Sequence, residues 1–177
     1  MLLLVAATTR ELCGRDGLVC GVGPVEAAAT VAAALATRRP EAILHVGIAG
    51  ARGLEPGTAV IGVESVYCDL ATDFPVVSRV RPDAALLGAA RAVLPAAPVV
   101  RIGTSAAVGG VDLDAPVEAM EGFGVLRAAE LAGVPALEVR VVSNAVAEHD
   151  RSAWRLEEAF AALAAAVSLL AGALERP

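Results

Sequence analysis

Apolar positions along the chain fall into short, nearly unbroken runs, separated by alanine-rich stretches of helical length. Leu2 to Ala7 is such a run, and Ala42 to Gly47, Val99 to Gly103 and Ala136 to Val142 are runs interrupted only by His45, by Arg101, and by Glu138 and Arg140. They predict strands buried on both faces. Leu18 to Val22 and the β-branched run Thr58 to Tyr67 predict two more. Pro24 stands where a helix can begin, since its missing N–H has no partner to lose there, and alanine carries that helix to about Arg38. A second helix begins at Pro82 and Asp83 and ends before Pro95. A third covers Met120 to Ala132, stopped by Gly133 with Pro135 beyond. The last covers about Ser152 to Leu174, with Phe160, Leu163, Val167, Leu170 and Leu174 on one face. Gly14 to Gly17 forms a turn.

Strands that alternate with helices, several of them apolar throughout, predict an α/β fold with a largely parallel central sheet flanked by helices. The length of 177 residues suits one domain spanning residues 1–177. Ligands of such sheets bind beyond the carboxyl ends of strands. The segments to search are therefore Thr8–Glu11, Gly47–Gly50, Gly103–Gly110 and Ser143–Asp150.

Composition narrows the chemistry. Hydrophobic residues make up 56% and aromatics only 3%, so alanine, valine and leucine must fill the core. All fourteen basic residues are arginine. Without lysine there is neither a Schiff-base amine nor a phosphate-loop lysine. A net charge of −6 with no basic stripe argues against nucleic acid as a partner. Three cysteines without CxxC spacing argue against a disulfide framework or a zinc knuckle and fit a reducing, cytoplasmic compartment. The opening MLLLVAATT lacks the basic start of a signal peptide. The C-terminal apolar run AFAALAAAVSLLAGAL reads as too short to span a membrane, so no membrane partner is expected.

Single motifs are ambiguous. GVGPVEAAA, from Gly21, opens like a dinucleotide fingerprint, but Glu26 occupies the position that needs glycine or alanine. A tight turn into a closely packed helix is the plainer reading. His45 lies inside an apolar strand and reads as a satisfied core histidine. His149 reads as a surface residue. Two histidines so far apart give no metal site. Glu121 opens a helix, where the dipole suits a carboxylate. It would equally suit a pair of hydroxyls. Asn144 is the only asparagine, and the chain has no glutamine. It could end a strand in an Asx-turn, or its amide could face a ligand.

Together these segments resemble the purine nucleoside phosphorylase and nucleosidase superfamily. GVGPVEAAA is similar to the family's glycine turn into a helix. HVGIAGA resembles its glycine-rich segment, and VESVYCD its strand with Tyr-x-Asp. VEAMEG resembles its Val-Glu-x-Met-Glu ribose motif. VRVVSNAV resembles its Arg-x-x-Ser-Asp segment, with asparagine in place of aspartate. The order holds from about Gly21 to Trp154. VEAMEG, RVVSN and Arg151-Ser152-Ala153-Trp154 together look most like the futalosine hydrolase family. Two departures are evident: the segment from Glu11 to Gly21 and the region after Tyr67 are shorter than in the nucleosidases.

The resemblance implies an α/β sandwich around a mixed sheet, and hydrolysis of a purine nucleoside by a homodimer or higher homo-oligomer; no cofactor is expected. By position, Glu121 would hold the ribose hydroxyls and Met120 would pack on the sugar. Ala49 and Gly50 would lie near the ribose and the attacking water. Thr104 and Val108 would belong to the loop over the base. Glu11 would activate water, and Asn144 would meet the purine. Cleavage of a purine–ribose bond passes through an oxocarbenium-like sugar. The site must therefore activate water, hold the hydroxyls and stabilise the departing base. An amide can donate to N7 and interact with a 6-oxo group, which suits hypoxanthine rather than adenine. The alternatives are an adenine-releasing methylthioadenosine/S-adenosylhomocysteine nucleosidase, a phosphorylase with Arg10 and Arg52 as phosphate ligands, and a catalytically silent nucleoside-binding module.

Overall fold

A computed structural model describes residues 1–109 and 115–175 of the chain. Its strands are β1 (Leu2–Ala6), β2 (Leu18–Val19), β3 (Ala42–Ala51), β4 (Ala59–Tyr67), β5 (Arg79–Val80), β6 (Val99–Thr104), β7 (Val117–Ala119) and β8 (Ala136–Ala145). Its helices are α1 (Pro24–Thr37), α2 (Ala84–Val93), α3 (Gly122–Ala132) and α4 (Leu156–Leu174). The ladders β1–β2, β1–β3, β3–β8, β4–β6 and β6–β7 are parallel, while β3–β7, β4–β5 and β4–β8 are antiparallel. The sheet is mixed and largely parallel: the parallel part follows the apolar strands, and the antiparallel ladders match the mixed sheet that the resemblance implies.

The order β2-β1-β3-β7-β6-β4-β5 would be an open sheet, but β8 pairs with both β3 and β4. The strands β3, β8, β4, β6 and β7 therefore close into a ring. Alternation along each strand feeds separate cores. Leu3, Val5 and Ile43 pack against α1 and α3. Leu4, Ala6, Leu44, Leu137, Val139 and Val141 pack against α2 and α4. Ala49, Ala51, Val60, Ile102, Val117 and Val142 fill the ring.

Each helix has a local cause. Asp83 caps α2, its carboxylate accepting from the amides of Ala85 and Leu86. Gly133, at φ 67°, closes α3 in the left-handed region. Glu157 and Glu158 sit in the first turn of α4, where the dipole favours them. Helix α4 starts four residues later than the expected Ser152, and by length and composition alone it could cross a membrane. Here Ala159, Leu163, Ala166, Val167 and Leu170 form its buried stripe on the sheet.

Several boundaries differ from the sequence expectation. Strand β2 stops at Val19, because Gly21 and Gly23 both take positive φ and turn the chain into α1. Strands β3 and β8 run past their apolar cores to Ala51 and Ala145, because they pair with each other along their whole length. Helix α3 begins at Gly122, since residues 117–119 pair as β7. The final helix is preceded by a separate 3-10 turn, Arg151–Ala153. Gly110, the last residue of the expected Gly103–Gly110 loop, lies outside the described residues.

Candidate active site

A pocket of about 290 Å³ opens over the carboxyl ends of β3 and β8, near the lower end for small-molecule sites. Glu11, Ala49, Gly50, Val108, Met120, Glu121 and Asn144 all line it. Ala49 and Gly50 do so from within β3 rather than from a loop. Thr104 does not line the pocket. It is buried at the end of β6, where its hydroxyl oxygen accepts the Phe123 amide at 2.8 Å.

Glu11 belongs to a 3-10 turn, Arg10–Leu12, just after β1. With the short segment that follows, Glu11 stands on the pocket wall. Its Oε2 accepts from the Thr8 amide at 3.0 Å and the Thr8 hydroxyl at 2.8 Å, and its Oε1 accepts from the Ile48 amide at 3.1 Å. These donors fix a carboxylate that is only 5% exposed on the pocket wall. Cys13 closes the turn at φ 54°, and burial raises its thiol pKa.

Glu121 stands between β7 and α3, but its side chain does not cap the helix. Oε1 accepts the Gly23 amide at 3.1 Å, and Oε2 accepts from Arg140 Nη2 at 3.3 Å. Each carboxylate oxygen has two lone pairs, so two acceptor sites remain for a ligand. The glycine turn thus holds Glu121 rather than a dinucleotide. It also brings α1 against α3: a Cβ on Gly124 would lie 2.5 Å from the Pro24 carbonyl oxygen.

Asn144 lies inside β8 rather than ending it. Ala49 pairs with Val142 and Gly50 with Asn144, so Ser143 bulges. Neighbours on a regular strand point to opposite faces, and a bulge re-aims one of them. Ser143 and Asn144 consequently both line the pocket. The Ser143 hydroxyl donates to Asn144 Oδ1 at 2.7 Å, and Asn144 Nδ2 donates to the Ala145 carbonyl at 2.9 Å. This network assigns the amide orientation and leaves one Nδ2–H for a ligand.

The rim combines aromatic and cationic groups. Asp69 accepts from the Ser105 hydroxyl at 2.7 Å and the Ala106 amide at 2.6 Å, which seats Ala107, Val108 and Gly109 over the pocket. Arg151 lies 5.7 Å from the Trp154 ring centroid, and Arg10 lies 4.0 Å from that of Phe160. Arg10 also pairs with Glu157 at 2.5 Å, and Arg52 with Glu118 at 2.6 Å. Both arginines offered as phosphate ligands are therefore bound to carboxylates. Among the described residues, no cluster of His, Cys, Asp and Glu is placed to hold a metal. His149 is exposed.

In the layer beneath, sequence reasoning placed His45, a satisfied core histidine as expected, but not its partners. Arg140 is 1% exposed. Its Nε donates to Glu138 at 2.8 Å, and its Nη2 lies 2.5 Å from His45 Nε2. Burial opposes the Arg140 cation, but Glu138, Glu121 and Glu11 more than offset that and raise its pKa. Burial and the adjacent Arg140 charge drive the His45 pKa well below its usual value. His45 is neutral, with Nδ1–H donating to the Val5 carbonyl at 3.1 Å and Nε2 accepting from Arg140. Burial, reinforced by Glu121, pushes the Cys20 thiol up to about 12. Two signals were available: Glu138-Val139-Arg140, two opposite charges on one face of a mostly apolar strand, and the arginine of the Arg-x-x-Ser-Asp segment, which is Arg140. Arg151 and Trp154 stood out only through the family resemblance.

A family model described as the phosphorylase superfamily matches residues 17–176. Futalosine hydrolase of Streptomyces coelicolor is 38% identical over 191 residues, covering 92% of this chain and 80% of that protein. Futalosine hydrolase of Acidothermus cellulolyticus is 36% identical over 194 residues, covering 91% and 80%. The fold matches that of Helicobacter pylori futalosine hydrolase with a TM-score of 0.85 at 16% identity, over 97% of both chains. It also matches S-adenosylhomocysteine nucleosidase of Streptococcus pyogenes, solved with 5-methylthiotubericidin, with a TM-score of 0.83 at 22% identity, over 98% of this chain and 95% of that one. On the matched family model and the identity to both curated relatives, this chain belongs to the phosphorylase superfamily and, within it, to the futalosine hydrolase family.

Proposed function

We propose that the protein hydrolyses the N-glycosidic bond of futalosine, releasing hypoxanthine and dehypoxanthine futalosine, and that it serves menaquinone biosynthesis as a cytoplasmic homodimer. One observation carries the reading: Glu11, Glu121 and Asn144 converge on one pocket from three distant chain segments. Glu11, acceptor-only in its three hydrogen bonds, takes a proton from the attacking water. Glu121 accepts hydrogen bonds from the ribose hydroxyls with its two open lone pairs. The bond from the anomeric carbon to the purine breaks as positive charge develops on the sugar. The electron pair leaves with the base, the water oxygen bonds to the anomeric carbon in its place, and the free Nδ2–H of Asn144 donates to N7 as the purine becomes anionic; solvent then protonates the purine to hypoxanthine, and Glu11 returns its proton to solvent. A 6-oxopurine carries that charge more readily than adenine, so an amide suffices where adenine release would call for an acid.

The test is chromatography of free bases after incubation with futalosine, inosine or methylthioadenosine, each with and without phosphate. Hypoxanthine from futalosine without phosphate is the expected result. Adenine release, or turnover that depends on phosphate, would replace this reading.

A further inference from the structure

Glu138 is wholly buried, and the chemistry above makes no use of it. Its Oε1 accepts from Arg140 Nε at 2.8 Å, and its Oε2 accepts from the buried Ser65 hydroxyl. Arg140 reaches Glu121 only at 3.3 Å. The guanidinium therefore holds Glu138 closely and Glu121 loosely.

A second observation is steric. Gly122 follows Glu121 and opens α3. A Cβ there would fall far inside van der Waals contact with both Glu138 carboxylate oxygens. Only glycine leaves room for that carboxylate under the helix start. Glu138 thus meets the ribose-facing segment twice, through the Arg140 charge and through the backbone beside Glu121.

We propose that Glu138 is a positioning residue for sugar recognition: it anchors the Arg140 guanidinium and so keeps the Glu121 lone pairs free for the ribose hydroxyls. A buried guanidinium that loses its carboxylate partner turns to the nearest other one, and a two-bonded fork is its favoured geometry. Here that other carboxylate is Glu121. A closed Arg140–Glu121 pair would take up the acceptor sites that the sugar needs. Glu138 prevents this, with Ser65 fixing its second oxygen. The inference rests on the proposed sugar-binding role of Glu121.

The experiment is a double-mutant cycle of Glu138→Gln and Glu121→Gln, read by kcat and KM on futalosine and by calorimetric Kd for inosine. Glu138→Gln keeps the shape and removes the charge. Expected is a loss of about tenfold in kcat/KM, with weaker inosine binding. The double variant should be little worse than Glu121→Gln alone, because both act through one contact. Additive losses would overturn the proposal. So would a Glu138→Gln protein with a lowered Tm but wild-type kcat and Kd. Should Glu138→Gln not fold, Ser65→Ala removes a single hydrogen bond and must show the same non-additivity with Glu121→Gln on a smaller scale. Wild-type protein that binds inosine but releases no base from futalosine would overturn the hydrolysis alone, and the Kd cycle would still decide Glu138. Wild-type protein that neither binds nor turns over would overturn both.

Discussion

Gly50 and Asn144 pair across β3 and β8 one residue out of step with the ladder below them. A Cβ on Gly50 would lie 3.2 Å from Asn144 Nδ2. The amide is thus pressed against a backbone with no side chain, and its open face is the pocket. Asn144→Asp tests what that face does. Aspartate can still accept from Ser143, but it sets an acceptor against the Ala145 carbonyl and has no N–H for a purine. Activity on futalosine should fall about tenfold to a hundredfold, the scale of one buried hydrogen bond left unmade. The preference for futalosine over methylthioadenosine should shrink in a competition assay. An unchanged preference would make the amide purely structural.

Glycines in this chain separate site from scaffold. A Cβ on Gly47 would lie 2.6 Å from Glu11 Oε1 and would clash with Arg140 Nη1. Gly47→Ala should cost about 1–3 kcal/mol by overpacking, and it should lower kcat by moving Glu11. On exposed α2, a Cβ at Gly88 meets nothing within 4 Å. Gly88→Ala should stabilise by about 0.5–1 kcal/mol through helix propensity and leave kcat alone. Urea unfolding and a rate measurement on both variants check the pair.

The elements that could be read in the sequence were those whose neighbours do not matter. Apolar runs at β1, β3 and β8 declare burial on both faces whatever they pair with, and Gly133 stops α3 by its own conformation. The ring closure, the length of β3 and β8 and the Ser143 bulge arise from ladders between distant segments, which no local period encodes. The site divides in the same way. Glu121 and Asn144 sit in recognisable motifs, Glu11 lies before the first of them and was placed only by its position after β1, and Thr104 was misplaced because its loop begins one residue later. Arg140 was noticed only as the arginine of a motif and Glu138 not at all, because a mostly apolar strand hides what its charged residues face.

Glu11→Gln tests the proposed base. Gln can still accept the Ile48 amide through Oε1, but its amide nitrogen must then face the Thr8 N–H, which loses its acceptor. A cost of about 1–3 kcal/mol in stability follows. The chemical step should slow by about 10²–10⁴-fold, the usual worth of a general base. KM should move little, because Glu11 is assigned to water and not to the nucleoside. A large rise in KM with kcat intact would mean that Glu11 binds substrate instead.

His45 predicts an acid limit on stability. Folding holds its pKa well below the ordinary value, first through burial and then through Arg140. The unfolded chain protonates this imidazole near pH ~6.5. Below that pH the unfolded state binds a proton that the folded state refuses, so stability falls as pH falls. Above it both states are neutral and His45 contributes no slope. The slope is bounded at about 1.4 kcal/mol per pH unit for one proton. His45→Gln retains an acceptor for Arg140 and cannot titrate. Unfolding free energies at pH 7.5, 6.5 and 5.5, each value being about a pH unit apart around the histidine range, should therefore drop at the acid end for wild type and drop less for His45→Gln. Equal slopes in the two proteins would show that His45 takes up its proton in the folded state after all, and that the buried Arg140 layer tolerates a second cation.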